Sequence, residues 1–133
     1  MRRINVAAMI IGGAGLLACS ESPTMPSATG SIALTSVVAE CAADIAAVER
    51  AVGEVTFLSR QADKDRAGLL GKLANAQVKL DEGKLADAIG KLTDFRDTVI
   101  ALRDAAKPKL SADDAQKLLD AVDVAIACMN ALE

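Results

Sequence analysis

Apolar residues recur every three or four positions in four segments of the chain, a spacing that predicts amphipathic helices. The clearest example is 69–102, where Asp81-Glu82-Gly83 separates two apolar stripes. The stripe residues are Leu69, Leu73, Ala76 and Leu80 before this turn, and Leu85, Ile89, Leu92, Phe95, Val99 and Leu102 after it. A glycine at this position suits a left-handed helix end. Because the turn is so short, it predicts an antiparallel helical hairpin.

A further stripe lies on each side of this hairpin. We predict one helix from Ile32 to about Arg60 with Thr35 or Ser36 as its N-cap, and a last helix capped by Ser111 after the break at Lys107-Pro108-Lys109. The two stripes are Val38, Cys41, Ile45, Val48, Val52 and Val55, and then Ala115, Leu118, Val122, Ala125 and Met129. Complementary seams in one chain favour an internal core over an intermolecular coiled coil. The sequence therefore predicts an all-α, antiparallel, up-down-up-down bundle of four helices.

The N-terminal residues are typical of a bacterial lipoprotein signal. Arg2-Arg3 precede an apolar run from Val6 to Leu17, which is shorter than the roughly 20 residues a membrane-spanning helix needs. The run ends in Leu16-Leu17-Ala18-Cys19, which resembles a lipobox. We expect 1–18 to be a cleaved signal peptide and Cys19 to be lipidated. The alternative is an uncleaved N-terminal anchor with an incidental cysteine.

Residues 19–33 are rich in serine, threonine, proline and glycine, which predicts a flexible linker after the lipidated cysteine. The helical bundle domain is then expected over 34–133. Ser20 follows the cysteine, and a serine at this position resembles the sorting signal that directs lipoproteins to the outer membrane in Gram-negative bacteria. We therefore expect a protein attached by its lipid to the outer membrane of the cell envelope and facing the periplasm or the exterior.

Composition excludes several kinds of function. The chain has no His, Trp or Tyr, so the commonest general base and metal ligand and the usual sugar-stacking side chains are missing. It carries 15 basic and 18 acidic residues, and removal of Arg2 and Arg3 leaves 13 against 18, which argues against nucleic acid. Asp63-x-Asp65 is similar to a calcium loop but is followed by Ala67 and Ala74 where ligands are needed. We predict no catalytic residues, no metal and no cofactor.

Two cysteines are left over if Cys19 is lipidated. In an oxidising envelope an even number of cysteines predicts a disulfide between Cys41 and Cys128. An up-down-up-down bundle places the start of its first helix and the end of its last helix at the same end. A bond closing so long a loop would stabilise the fold by roughly 4–5 kcal/mol in the chain-entropy account. The alternative is two buried free thiols.

The run LLGKLANAQVKLDEGKLADAIGKLTDFRDTV resembles the central motif of the FIMAH domain, a small all-helical module on secreted, often polysaccharide-active, bacterial enzymes. The resemblance rests on the turn from Asp81 to Lys84 and on the spacing that follows, and it covers roughly 55–127. The residues that carry that spacing are Ala88, Ile89, Leu92 and Phe95. The resemblance implies a helical fold and an accessory role in a polysaccharide-active system.

Together these observations predict a non-enzymatic interaction or scaffold module that binds another envelope protein, with the partner and the oligomeric state left open. A first alternative is a binder of a small apolar molecule, with room left between the helices by Gly71, Ala74, Gly90 and Ala125. A second is an enzyme that uses carboxylates alone, which would need two buried and convergent acidic side chains.

Overall fold

The computed structural model describes residues 29–133, with side chains from residue 35 onward. The predicted signal peptide and Cys19 lie outside the described residues. Four helices follow one another: α1 (Thr29–Glu54), α2 (Ala62–Asp81), α3 (Leu85–Asp104) and α4 (Ala112–Asn130). Each packs against the next in the chain, and α4 returns to α1. The prediction of an up-down-up-down four-helix bundle is confirmed.

The core consists of the apolar stripes that the sequence predicts. In α2 and α4 every residue of the predicted stripe is buried, and Leu119 joins them. In α3 the buried residues are Ala88, Leu92, Phe95 and Val99, with the other stripe residues half-buried at the margin. Burial of each large aliphatic side chain contributes about 1.5–3 kcal/mol. Among the side chains that the structure describes, no polar or charged residue is buried.

The limits of α1 differ from those predicted at both ends. The chain is already helical at Thr29, inside the segment predicted as linker, so the expected cap at Thr35 or Ser36 is wrong. Short polar residues such as Thr29, Gly30 and Ser31 favour loops, but a first helical turn tolerates them. At the other end α1 stops at Glu54 rather than near Arg60, because the chain then extends to pair with another loop.

Two helix boundaries confirm local predictions. Gly83 has a φ of +71°, and its N–H donates to the Leu80 carbonyl while the Lys84 N–H donates to the Lys79 carbonyl. Such bonds satisfy carbonyls that the end of α2 leaves without a helical partner. At the start of α4 the Ser111 hydroxyl accepts a hydrogen bond of 3.0 Å from the Asp114 N–H.

The antiparallel arrangement gives the bundle two different ends. The N-terminal end contains the beginning of α1, the turn between α2 and α3, and the end of α4. The loop end contains the α1–α2 loop, 55–61, and the α3–α4 loop, 105–111. With 26 residues and a rise of about 1.5 Å per residue, α1 is about 39 Å long.

Candidate interaction site at the loop end

The two loops at the loop end are joined by backbone contacts. The Leu58 N–H donates to the Lys109 carbonyl at 2.8 Å, and the Lys109 N–H donates to the Leu102 carbonyl at 2.8 Å. Phe57 and Leu110 form a short antiparallel bridge, and both side chains are buried in the core. Because apolar burial and hydrogen bonds act on the same residues, the backbone of this end has a defined shape.

Asp65 links both loops to the first turn of α2. Its Oδ2 accepts a 2.6 Å hydrogen bond from the Ser59 hydroxyl, and its Oδ1 accepts a 3.1 Å bond from the Lys109 ammonium. The Ser59 oxygen also accepts from the Gln61 N–H at 3.2 Å. The hydrogen bond from Ser59 and the charge of Lys109 lower the pKa of Asp65, although partial burial opposes them. Asp65 is therefore a structural carboxylate that stays ionised.

Arg66 contacts the α1–α2 loop at the loop end. Its guanidinium carbon lies 5.2 Å from the centre of the Phe57 ring, within the range of a cation–π contact. One terminal nitrogen donates to the Val55 carbonyl at 3.3 Å. Its Nε is buried and has no hydrogen-bond partner among the described residues. These contacts hold the chain where it leaves α1, so we assign Arg66 to the framework of the loop end.

The outer surface of the two loops forms an open groove of about 640 Å³, which we call the loop-end groove. Its lining residues are Leu58, Ser59, Arg60, Gln61, Lys107, Pro108 and Lys109. Three of these side chains are basic and none is acidic. Arg60 and Lys107 make no ion pair or hydrogen bond with any residue that the structure describes. Leu58 is 60% exposed. The groove thus presents positive charge beside an exposed leucine.

Sequence reasoning missed this groove. Asp63 and Asp65, whose spacing is similar to a calcium loop, both lie in the first turn of α2. The sequence assigns no binding role to Ser59, Arg60 or Lys109. The predicted break at 107–109 is confirmed, but its contribution to a surface depends on a loop almost fifty residues earlier in the chain.

The predicted disulfide between Cys41 and Cys128 is present in the structure, with 5.6 Å between the two Cα atoms. Cys41 is fully buried and Cys128 is half-buried at the margin of the core. The bond joins the last turn of α4, at the N-terminal end, to the middle of α1. It spans 87 positions of the sequence and so ties the beginning of the bundle to its end.

The residues expected to leave room for a small apolar ligand do not form a cavity together. Gly71, Ala74 and Gly90 are exposed on the outer faces of their helices, and only Ala125 lies in the core. That expectation is wrong because the helical phase turns the first three residues away from the centre. A shallow depression of about 420 Å³ beside Gly90 carries both signs of charge.

The described residues place no acidic or sulfur ligands in a metal-binding group of three or more. They also place no carboxylate in the core. No helix in this part of the chain is both long enough and apolar enough to cross a membrane.

Comparison of the chain with protein-family models, with curated protein sequences and with solved structures gave no match. The likeness of the central hairpin to the FIMAH motif and the lipidation of Cys19 stay predictions. The function is therefore inferred from the chain's own residues.

Proposed function

We propose that this protein is a lipid-anchored module of the bacterial cell envelope that binds another envelope protein and catalyses no reaction. The observation that carries the proposal is the loop-end groove, which is open, has a defined backbone and lies opposite the end where the chain enters the bundle. The disulfide is consistent with this location, since such bonds persist in oxidising compartments.

The arrangement suits a protein anchored at its N-terminus. A lipid on Cys19 would hold the N-terminal end of the bundle towards the membrane. The length of α1, about 39 Å, would then carry the loop-end groove away from the lipid surface. A binding surface in that position is accessible to a partner in the periplasm or outside the cell.

The chemistry of the groove favours binding over catalysis. Ser59 is its only hydroxyl-bearing side chain, and that hydroxyl donates to Asp65, whose lowered pKa makes it a weak base. The Lys109 ammonium bonds to Asp65 instead of Ser59, so no amine activates the hydroxyl. The groove presents charge and apolar surface, through which it can bind a partner protein.

Two measurements on the full-length protein test the proposal. Palmitate labelling and membrane fractionation should show lipid attachment and membrane association in the native protein and in Ser20→Ala, and loss of both in Cys19→Ser. Crosslinking in cells followed by mass spectrometry should recover one recurrent envelope protein with the lipidated form. Unchanged membrane association of Cys19→Ser would contradict the anchor, and the absence of any recurrent protein would contradict the scaffold.

The resemblance to FIMAH makes an accessory role in a polysaccharide-active system a second candidate. The same crosslinking experiment decides between the two, because this candidate requires the recurrent partner to be a polysaccharide-active enzyme. Any other envelope protein in that place would favour a general scaffold.

A further inference from the structure

We propose that the loop-end groove binds an acidic segment of the partner protein in which a large apolar side chain lies between carboxylates. This inference rests on the proposed function and assigns the chemistry of the partner. It is carried by two properties of the groove, its uncompensated positive charge and its exposed leucine.

The positive charge of the groove is local. The whole chain has a net charge of −3, yet the groove is lined by Arg60, Lys107 and Lys109 and by no acidic residue. Lys109 is paired with Asp65 at 3.1 Å, so Arg60 and Lys107 supply the charge that no described residue neutralises. A guanidinium can hold a carboxylate with two parallel hydrogen bonds, and an ammonium adds a second point of attraction. Two carboxylates of one peptide would therefore complement these two side chains.

Nearby carboxylates do not remove this charge. Asp104, the last residue of α3, is held by Arg103 through hydrogen bonds of 2.7 and 3.0 Å. This contact lowers the pKa of Asp104 and raises that of Arg103, so the pair stays ionised and compensates itself. Asp63 is exposed in the first turn of α2, where its charge complements the helix dipole.

The exposed leucine adds an apolar contact in a fixed position. Leu58 is 60% exposed, although its backbone N–H is bonded to the Lys109 carbonyl at 2.8 Å. The segment that carries it is therefore ordered before a partner arrives, which reduces the entropy lost on binding. An apolar side chain of the partner placed on Leu58 would be covered from water between the two basic groups.

Other ligands fit these features less well. A free phosphate would use the two charges but gain nothing from Leu58. Nucleic acid would be repelled by the rest of an acidic protein. An acidic peptide with an apolar residue uses both properties at once.

Photocrosslinking in cells tests the position of the partner. A photoreactive amino acid replaces either Leu58 or Val124 in the full-length lipoprotein. Val124 is the matched control because it is 57% exposed and lies on α4 outside the groove. We expect position 58, and not position 124, to capture one envelope protein. Peptide mapping should place the crosslink in a segment of that protein with net negative charge and at least one large apolar residue.

Charge reversal tests the role of the basic side chains. Arg60→Glu/Lys107→Glu should reduce capture at position 58 about tenfold or more, because two attractive contacts become repulsive. Arg50→Glu/Lys72→Glu makes the same change in net charge outside the groove and should leave capture unchanged. These two residues belong to no ion pair or side-chain hydrogen bond among the described residues.

Each other result overturns the inference. It fails if the partner is captured from position 124 instead of 58, if the captured segment is neutral, basic or a second copy of this chain, or if the groove reversal leaves capture unchanged. Capture at position 124 alone would contradict the groove as the binding site but would still agree with the proposed scaffold function. Capture of no protein from either position overturns the proposed function as well.

Discussion

The two ends of this bundle are closed by different means. At the N-terminal end a covalent bond joins α1 to α4, and a glycine with positive φ turns α2 into α3. At the loop end hydrogen bonds and two apolar side chains join loops that are distant in the sequence. The N-terminal end therefore has a compact turn and a disulfide. The loop end has an open groove with charged side chains on its surface.

The comparison extends to one carboxylate at each end. Glu82, in the turn of the N-terminal end, is exposed and lies 2.9 Å from both Lys84 and Lys79. Hydrogen bonds from these lysines lower its pKa to about 2. Asp65, at the loop end, has only 12% of its side chain exposed and joins two loops. Water and salt weaken the contacts of the exposed Glu82 far more than those of Asp65. We therefore expect only the Asp65 contacts to contribute measurably to the stability of the fold.

The disulfide should give the largest effect. Replacement of both cysteines, Cys41→Ala/Cys128→Ala, should lower the free energy of unfolding by about 4 kcal/mol, because the unfolded chain regains the freedom that the bond removes. Urea unfolding without reductant measures this difference. A reductant should bring the native protein to the same stability and leave the double variant unchanged. A loss below about 1 kcal/mol would show that the bond contributes little to closing this end.

At the loop end the buried apolar residues should have the next largest effect. Leu110→Ala should cost about 3 kcal/mol in unfolding free energy, since Leu110 is 1% exposed and its truncation leaves a cavity. The control is Leu58→Ala in the same pair of loops, where the side chain is 60% exposed and the expected cost is within about 0.5 kcal/mol. Equal losses in the two variants would contradict the view that the core holds the loops.

The hydrogen bonds of Asp65 should contribute a smaller amount. Asp65→Ala removes the acceptor for Ser59 and Lys109 and should cost about 1–2 kcal/mol at pH 7. Asp63→Ala, in the same helical turn but exposed, should change stability by about 0.5 kcal/mol or less. Chemical denaturation of both variants gives the comparison.

The pKa of Asp65 predicts how this contribution depends on pH. Its pKa is lower in the folded protein than the ordinary 3.8, so the ionised carboxylate stabilises the fold. The stabilisation is fully present above pH 3.8 and is lost as the pH falls through the lower value. The difference in stability between the native protein and Asp65→Ala should therefore shrink below about pH 4. A difference in stability that grows on acidification would contradict the lowered pKa of Asp65.

Two glycine substitutions should give small effects of opposite sign. Gly83→Ala should destabilise by about 1 kcal/mol, because a side chain is strained at a φ of +71° even where space is open. Gly71→Ala, at an exposed position inside α2, should stabilise by about 0.5–1 kcal/mol through helix propensity. Thermal unfolding measures both. Shifts of the same sign would contradict the assignment of Gly83 as the residue that shapes the N-terminal turn.

What the sequence predicts well is periodic or local. The stripes of α2 and α4, the cap at Ser111 and the turn at Gly83 each follow from residues within a few positions of one another, and the structure confirms them. The even number of cysteines left beside Cys19 predicts the pairing of Cys41 with Cys128, the bundle topology is consistent with it, and the structure contains the bond.

What the sequence does not predict depends on contacts between distant segments. Beyond the end of α1, Phe57 pairs with Leu110. Asp65 bonds to Lys109, which is 44 positions away. No local pattern in the sequence indicates these long-range contacts. The loop-end groove, made by two such loops, is the part of the candidate site that only the folded chain reveals.

The most direct test of the central claim compares a variant of each end for partner capture from position 58. Both variants, Cys41→Ala/Cys128→Ala and Arg60→Glu/Lys107→Glu, are assayed at a temperature at which circular dichroism shows them folded. The disulfide-free protein should keep its partner despite its lower stability. The charge-reversed protein should lose its partner while its unfolding free energy stays within about 0.5 kcal/mol of the native value. Loss of capture in the folded disulfide-free protein, together with retention in the charge-reversed protein, would contradict the division of roles between the two ends.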